Sequence, residues 1–221
     1  MSEQNLNQEK RDVSGFNNLD FRGVGKIELI QGDHEELIID APQEVRERIR
    51  TEVKNGTLVI SYESDWKDWT GIRFLEGDKV TFHLMMREIN TIGIAGVGNL
   101  DSALINTGSL TVSLSGPGTF TVGTVNASMV NLKLSGVGSV DVAGQTQDLA
   151  IELSGAGSVR APRLKAEKAS VRLSGVGSAT IWAVSSLDAS LSGAGVIEYY
   201  GSPQIHESRS GVGVLKYLGN R

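Results

Sequence analysis

Apolar and polar side chains alternate along most of this chain, and from residue 92 onward a Gly-x-Gly step interrupts the alternation at nearly regular intervals. The step begins at Gly96, Gly116, Gly136, Gly155, Gly175, Gly193 and Gly211, at spacings of 20, 20, 19, 20, 18 and 18 residues. Six, four and two residues before each glycine stand apolar columns such as Leu110/Val130/Leu149/Ala169/Leu187/Ile205 and Leu114/Leu134/Leu153/Leu173/Leu191. Beyond the glycines the alternation resumes with Leu100, Phe120, Val140, Val159, Ala179 and Ile197, and a shorter third side is marked by Ile105, Val125, Leu164 and Val184. A period of two with one apolar face is a half-buried strand, and a period near 20 residues is a solenoid. The expected fold is therefore all-β, a right-handed parallel β-helix, because parallel crossovers almost always take that hand.

The first 91 residues break this rhythm. Residues 1–13 are polar and read as a disordered tail. Residues 14–91 read as a first coil, Leu19 to Leu29, followed by a capping region that pairs mainly antiparallel, and 92–221 carry the repeats in one unit with the cap. Within the cap, Lys26–Ile30 and Glu36–Asp40 read as a hairpin, and Pro42 opens a short helix over Gln43–Arg50. Asn55-Gly56 is a second hairpin turn, since both residues tolerate positive φ. Residues 63–78 have no periodicity and read as a long loop, and strands follow over 79–86 and 88–95. A cap is physically required, because a bare solenoid end exposes a coil of apolar side chains and unpaired strand edges.

The glycines have a mechanical reading, turning the chain where a Cβ would clash. Ser115, Ser135, Ser154, Ser174, Ser192 and Ser210 precede the corner in one column, where their hydroxyls are placed to bond the backbone freed by the bend. A phosphate-binding glycine loop would need a helix after the glycines, and a strand follows each time. In the last coil Glu207 and Arg209 replace apolar residues, which ends the core there as a blunt end or a fraying terminus.

Composition narrows the chemistry. There is no cysteine, so disulfides, thiolate catalysis and cysteine metal sites are excluded. His34, His83 and His206 lie far apart, no metal-ligand spacing appears, and no cofactor is expected. A net charge of −5 argues against nucleic acid as a partner. There is no apolar run long enough for a transmembrane helix, and Met1–Asp12 has no apolar signal core, so the residues themselves leave the cytoplasm open as a location.

Phe21-Arg22-Gly23-Val24-Gly25-Lys26-Ile27, Thr51 through Ile60 and the later Leu-Ser-Gly-x-Gly-Ser repeats together resemble the bacterial family called putative auto-transporter adhesin, head GIN domain, over about residues 15–221. The resemblance implies a right-handed β-helical protein of the cell envelope, in the periplasm or at the cell surface, with no enzyme activity and no established ligand.

Candidate chemistry is sparse. Asp101 and Asp141, two coils apart, fall near the upper limit for a glycosidase carboxyl pair. Their rival reading is a solvated charge ladder, since Lys133, Glu152 and Arg172 alternate in sign and Asp141 stands beside Arg160. Trp66 and Trp69 in the 63–78 loop either stack on a sugar or anchor a partner, or fold back to plug the solenoid end. Trp182 and Tyr200 share a column outside the inward alternation, as an outer patch for a partner or as packing beneath a neighbouring turn. The reading is a non-catalytic adhesion, binding or scaffolding module for a glycan, an envelope polymer or a protein. The alternatives are a carbohydrate-active enzyme on the same scaffold and a structural unit that self-associates through a solenoid end or edge.

Overall fold

The computed structural model describes residues 7–63 and 80–221. The N-terminal region supplies β1 (Gln8–Arg11), β2 (Asn18–Phe21), β3 (Val24–Gln31), β4 (Glu36–Asp40), α1 (Gln43–Arg46), β5 (Ile49–Lys54), β6 (Thr57–Tyr62), β7 (Thr81–Met86) and β8 (Thr91–Ile94). Alternation makes one face of each of β2, β4, β6 and β7 apolar, and Leu19, Phe21, Leu37, Ile39, Leu58, Ile60, Phe82 and Leu84 are buried. Phe21 meets Phe82 edge-on, with ring centroids 5.2 Å apart and planes at 76°.

Rungs do not stack here in chain order. β2 lies parallel between β6 and β8, and β3 lies parallel to β7 and to the next coil. The coil made by β6 and β7 is thus outermost, and the first coil in sequence is second. Between β3 and β6 the chain runs through β4, α1 and β5; β5 lies antiparallel on β6 and β4 on β7, and β1, from before β2, lies antiparallel on β4, which leaves β5 and β1 as the edge strands. The cap is consequently mixed in direction.

Three local expectations are corrected. β3 and β4 are not a hairpin, because β7 pairs between them and sets Phe82 and Leu84 beside Ile27 and Leu29 on one side and Ile39 and Leu37 on the other. The helix stops at Arg46, because Ile49, buried like Val45, already pairs with Tyr62 at the start of β5. The expected tail enters the sheet at Gln8: β1 is held by Lys10 to Glu36 at 2.6 Å, Gln8 to Asp40 at 3.1 Å and Arg11 to the Arg46 carbonyl at 2.7 Å, polar contacts that leave no apolar signature. The Asn55-Gly56 turn forms as expected, with φ of 50° and 72°.

The body continues through β9 (Val97–Leu114), β10 (Gly118–Leu134), β11 (Val137–Leu153), β12 (Ala156–Leu173), β13 (Val176–Leu191), β14 (Ala194–Tyr200), β15 (Gln204–Arg209) and β16 (Val212–Tyr217), all parallel. Each of β9 to β13 runs nearly from one Gly-x-Gly corner to the next, bending around an apolar interior. At each corner the two successive N–H groups share one carbonyl of the rung below: Ser135 and Gly136 donate to Leu114 at 3.0 and 3.1 Å, and Ser154 and Gly155 to Leu134 at the same distances. Rungs approach closely there. A Cβ on Gly138 would lie 1.9 Å from the Gly118 carbonyl oxygen. Main chain, rather than the serine column, therefore secures the bend; the serines are exposed, and Ser115 makes the single hydroxyl contact to the rung below among the described corner serines, a long one of 3.4 Å.

Unequal coil lengths are absorbed by bulges on the third side. The register slips between Val122 and Val125, between Asp141 and Ala143, and at Ala161/Lys165 and Ala166/Lys168. One consequence is that Ala183, opposite Ala166, is the buried residue on the third side of its rung, and Val184 is only half-buried. At the last rung Ile205, expected in the apolar interior, is exposed because no rung covers it.

Candidate functional site

The bulges bring into line residues that a fixed offset from the glycines keeps apart. Asn106, Asn126, Gln145, Lys165, Trp182 and Tyr200 are successive partners in the parallel ladders. They stack into one outward column across five rung steps, roughly 24 Å at the usual strand spacing.

The amide end is pre-ordered. Asn126 donates to the Asn106 side chain at 2.8 Å, and Gln31 brackets the Asn106 backbone, donating to its carbonyl at 2.9 Å and accepting from its N–H at 2.7 Å. Beside Asn126, Gln145 and Lys165 lies a groove of about 480 Å³, also lined by Ser128, Gln147 and Glu167. Its floor is fixed by Thr146, whose buried hydroxyl sits 3.2 Å from the Ser128 carbonyl oxygen and 3.1 Å from that of Asp148.

The aromatic end is flanked by cations. Lys165 Nζ stands 5.8 Å from the Trp182 ring centroid, and the Arg221 guanidinium lies 4.3 Å from that of Tyr200. Arg221 also donates to the Pro162 carbonyl, tying the terminal residue across the column. Trp182 and Tyr200 are half-buried. Trp66 and Trp69 lie outside the described residues. In sequence they fall between β6 and β7, and Tyr62, the last residue of β6, donates to the Val24 carbonyl at 2.9 Å.

Asp101 and Asp141 stand on an open sheet face with Thr121 between them in register. Asp101 faces Lys26 at 3.6 Å, and Asp141 faces Arg163 at 3.7 Å. Arg160 stands beside Asp141 in register, as expected, while the ion pair is made by Arg163, which the bulge after Asp141 brings opposite Ala143. Lys133 and Glu152 pair at 3.6 Å, as the alternating charges predict. Among the described residues no group of His, Asp and Glu is arranged to hold a metal ion.

The amide column escaped the sequence reading. Its signal is present at ten residues past Gly96, Gly116 and Gly155, but shortened coils move it to nine past Gly136 and seven past Gly175 and Gly193.

The family model "Putative auto-transporter adhesin, head GIN domain" matches residues 15–203. The chain belongs to this family. A crystal structure of a putative adhesin from Bacteroides fragilis is 30% identical to this head GIN chain, covers 98% of each chain and superposes with a TM-score of 0.90. A putative lipid binding protein from Parabacteroides distasonis shares 22% identity over 97% of this chain and 98% of its own, with a TM-score of 0.69. A putative adhesin from the same species shares 19% over 96% of each chain, with a TM-score of 0.70. The last two show the fold. No curated protein matches the chain. No helix among the described residues is long and apolar enough to cross a membrane.

Proposed function

We propose that this head GIN protein is an extracytoplasmic adhesion module that binds an extended glycan along the outward column from Asn106 to Tyr200. One observation carries the reading: amide, cationic and aromatic side chains stand in unbroken register on a rigid scaffold, one per rung. Amides offer paired donors and acceptors to sugar hydroxyls, and aromatic edges take the apolar C–H faces of the rings. Rungs spaced by backbone hydrogen bonding repeat such contacts at an interval suited to a polymer of similar units, so many weak contacts add along one face. Membership of an adhesin family supports the module reading and an envelope location.

The test is a screen of envelope and cell-surface polysaccharides with wild type, Trp182→Ala/Tyr200→Ala and Asn126→Ala/Gln145→Ala. Wild type is expected to bind, and each double variant to bind about tenfold or more weakly, at roughly 1–2 kcal/mol per lost contact pair. Undiminished binding by both variants, or no binding by wild type, overturns the reading. Trp66→Ala/Trp69→Ala is the remaining arm; loss confined to that variant would move the site to the connection between β6 and β7.

A further inference from the structure

The two ends of the solenoid are finished differently. At the N-terminal end β5, β4 and β1 cover the outermost parallel rung, and the edge passes to β5, with Arg50, Glu52 and Lys54, and to β1, with Glu9, Lys10 and Arg11. At the other end β15 pairs with β13 and β16 with β14, and among the described residues nothing lies on their far edges. Open edges present a row of unpaired main-chain donors and acceptors, a template for another strand. This rung also gathers exposed apolar side chains: Ile205 at 44%, Val212 at 86%, Val214 at 52% and Tyr217 at 51% exposure.

From this edge we infer that the protein forms a two-fold symmetric dimer through its C-terminal rung, with β15 of one copy antiparallel to β15 of the second about an axis at Ser208. Main-chain geometry suits it. Ser210 donates its N–H to the Leu191 carbonyl of β13 at 2.9 Å, so strand alternation directs the peptide groups of Ser208 inward and those of Glu207 and Arg209 to the open edge. In antiparallel pairing about Ser208, Glu207 opposes Arg209 of the second copy and the two exchange both hydrogen bonds.

Side-chain charge points to the same register. Glu207 and Arg209 occupy columns that hold Ala189 and Leu191 in the rung below, and in the isolated chain they pair with one another. Pairing about Ser208 sets each carboxylate against a guanidinium twice over, whereas an apolar rung such as the one carrying Ala189 and Leu191 offers neither charge a partner. These residues stop the solenoid from growing as a solenoid while making the edge complementary to itself. A two-fold contact is isologous, using the β15 edge of both copies, so it closes at two copies and builds no fibre.

Sedimentation equilibrium across a range of concentration tests this. The mass of the wild type is expected to rise from the 23.6 kDa of one chain towards twice that value. Arg209→Glu and Glu207→Arg each set like charges against each other and should weaken self-association by about a hundredfold. An equimolar mixture of the two variants restores opposite charges at both positions and should form heterodimers, and the double exchange Glu207→Arg/Arg209→Glu should dimerise again. Both side chains are exposed, and heterodimer formation itself reports that the variants are folded. A wild type that stays monomeric, single variants that associate like wild type, or a mixture that stays monomeric overturns the inference.

Discussion

At the scale of single residues, the glycine corners are set by the distance between rungs. A Cβ at Gly138 would sit 1.9 Å from a main-chain oxygen, with no flexible side chain able to yield. Gly108 lies in a similar coil and meets nothing within 4 Å. Gly138→Ala is therefore expected to cost about 3 kcal/mol, the upper range for overpacking, and Gly108→Ala to stay within about 0.5 kcal/mol of wild type. Denaturant unfolding of the two variants checks the contrast; equal effects would mean that the corner relaxes freely.

At the scale of elements, β1 shows how a strand can exist without an apolar pattern. Its anchor Glu36 titrates below its ordinary 4.5, because Lys10 donates a hydrogen bond to the carboxylate and adds an attractive charge. A carboxyl depressed in the folded state contributes stability at neutral pH and loses it as pH falls below 4.5 through the folded value. Glu36→Gln should melt slightly below wild type at neutral pH, and the gap should close in acid; a gap independent of pH would rule out the carboxylate as its source. The same element marks where sequence reading ends. The interior columns, the Asn55-Gly56 turn and the need for a cap follow from periodicity and φ preference, which are local. That β7 pairs between β3 and β4, that β6 and β7 form the outermost coil, and that Asn126, Gln145, Lys165 and Trp182 share a column all depend on partners 17 to 55 residues away. Bulges reset the register between such partners, so the aromatic pair Trp182 and Tyr200 was visible while the amides that extend it were not.

At the scale of the whole molecule, stability is a sum over rungs and their interfaces. The buried phenylalanines, Phe16, Phe21, Phe82 and Phe120, lie towards the cap, while in the later rungs Ala161, Ala166, Ala169, Ala179, Ala183 and Ala189 take core positions among Val, Leu and Ile. Smaller side chains bury less apolar area, and the last rung has a neighbour on one side only, so opening should begin at β15 and β16 and move towards the cap. Hydrogen exchange read by mass spectrometry should show fast uptake over 204–217, intermediate uptake over 176–200 and slow uptake over 97–153. If the C-terminal rung pairs with a second copy, uptake over 204–209 slows as wild-type concentration rises and does not slow in Arg209→Glu. A protection gradient running the other way, with the cap opening first, would mean that the antiparallel strands and not the open rung are the weak end of the solenoid.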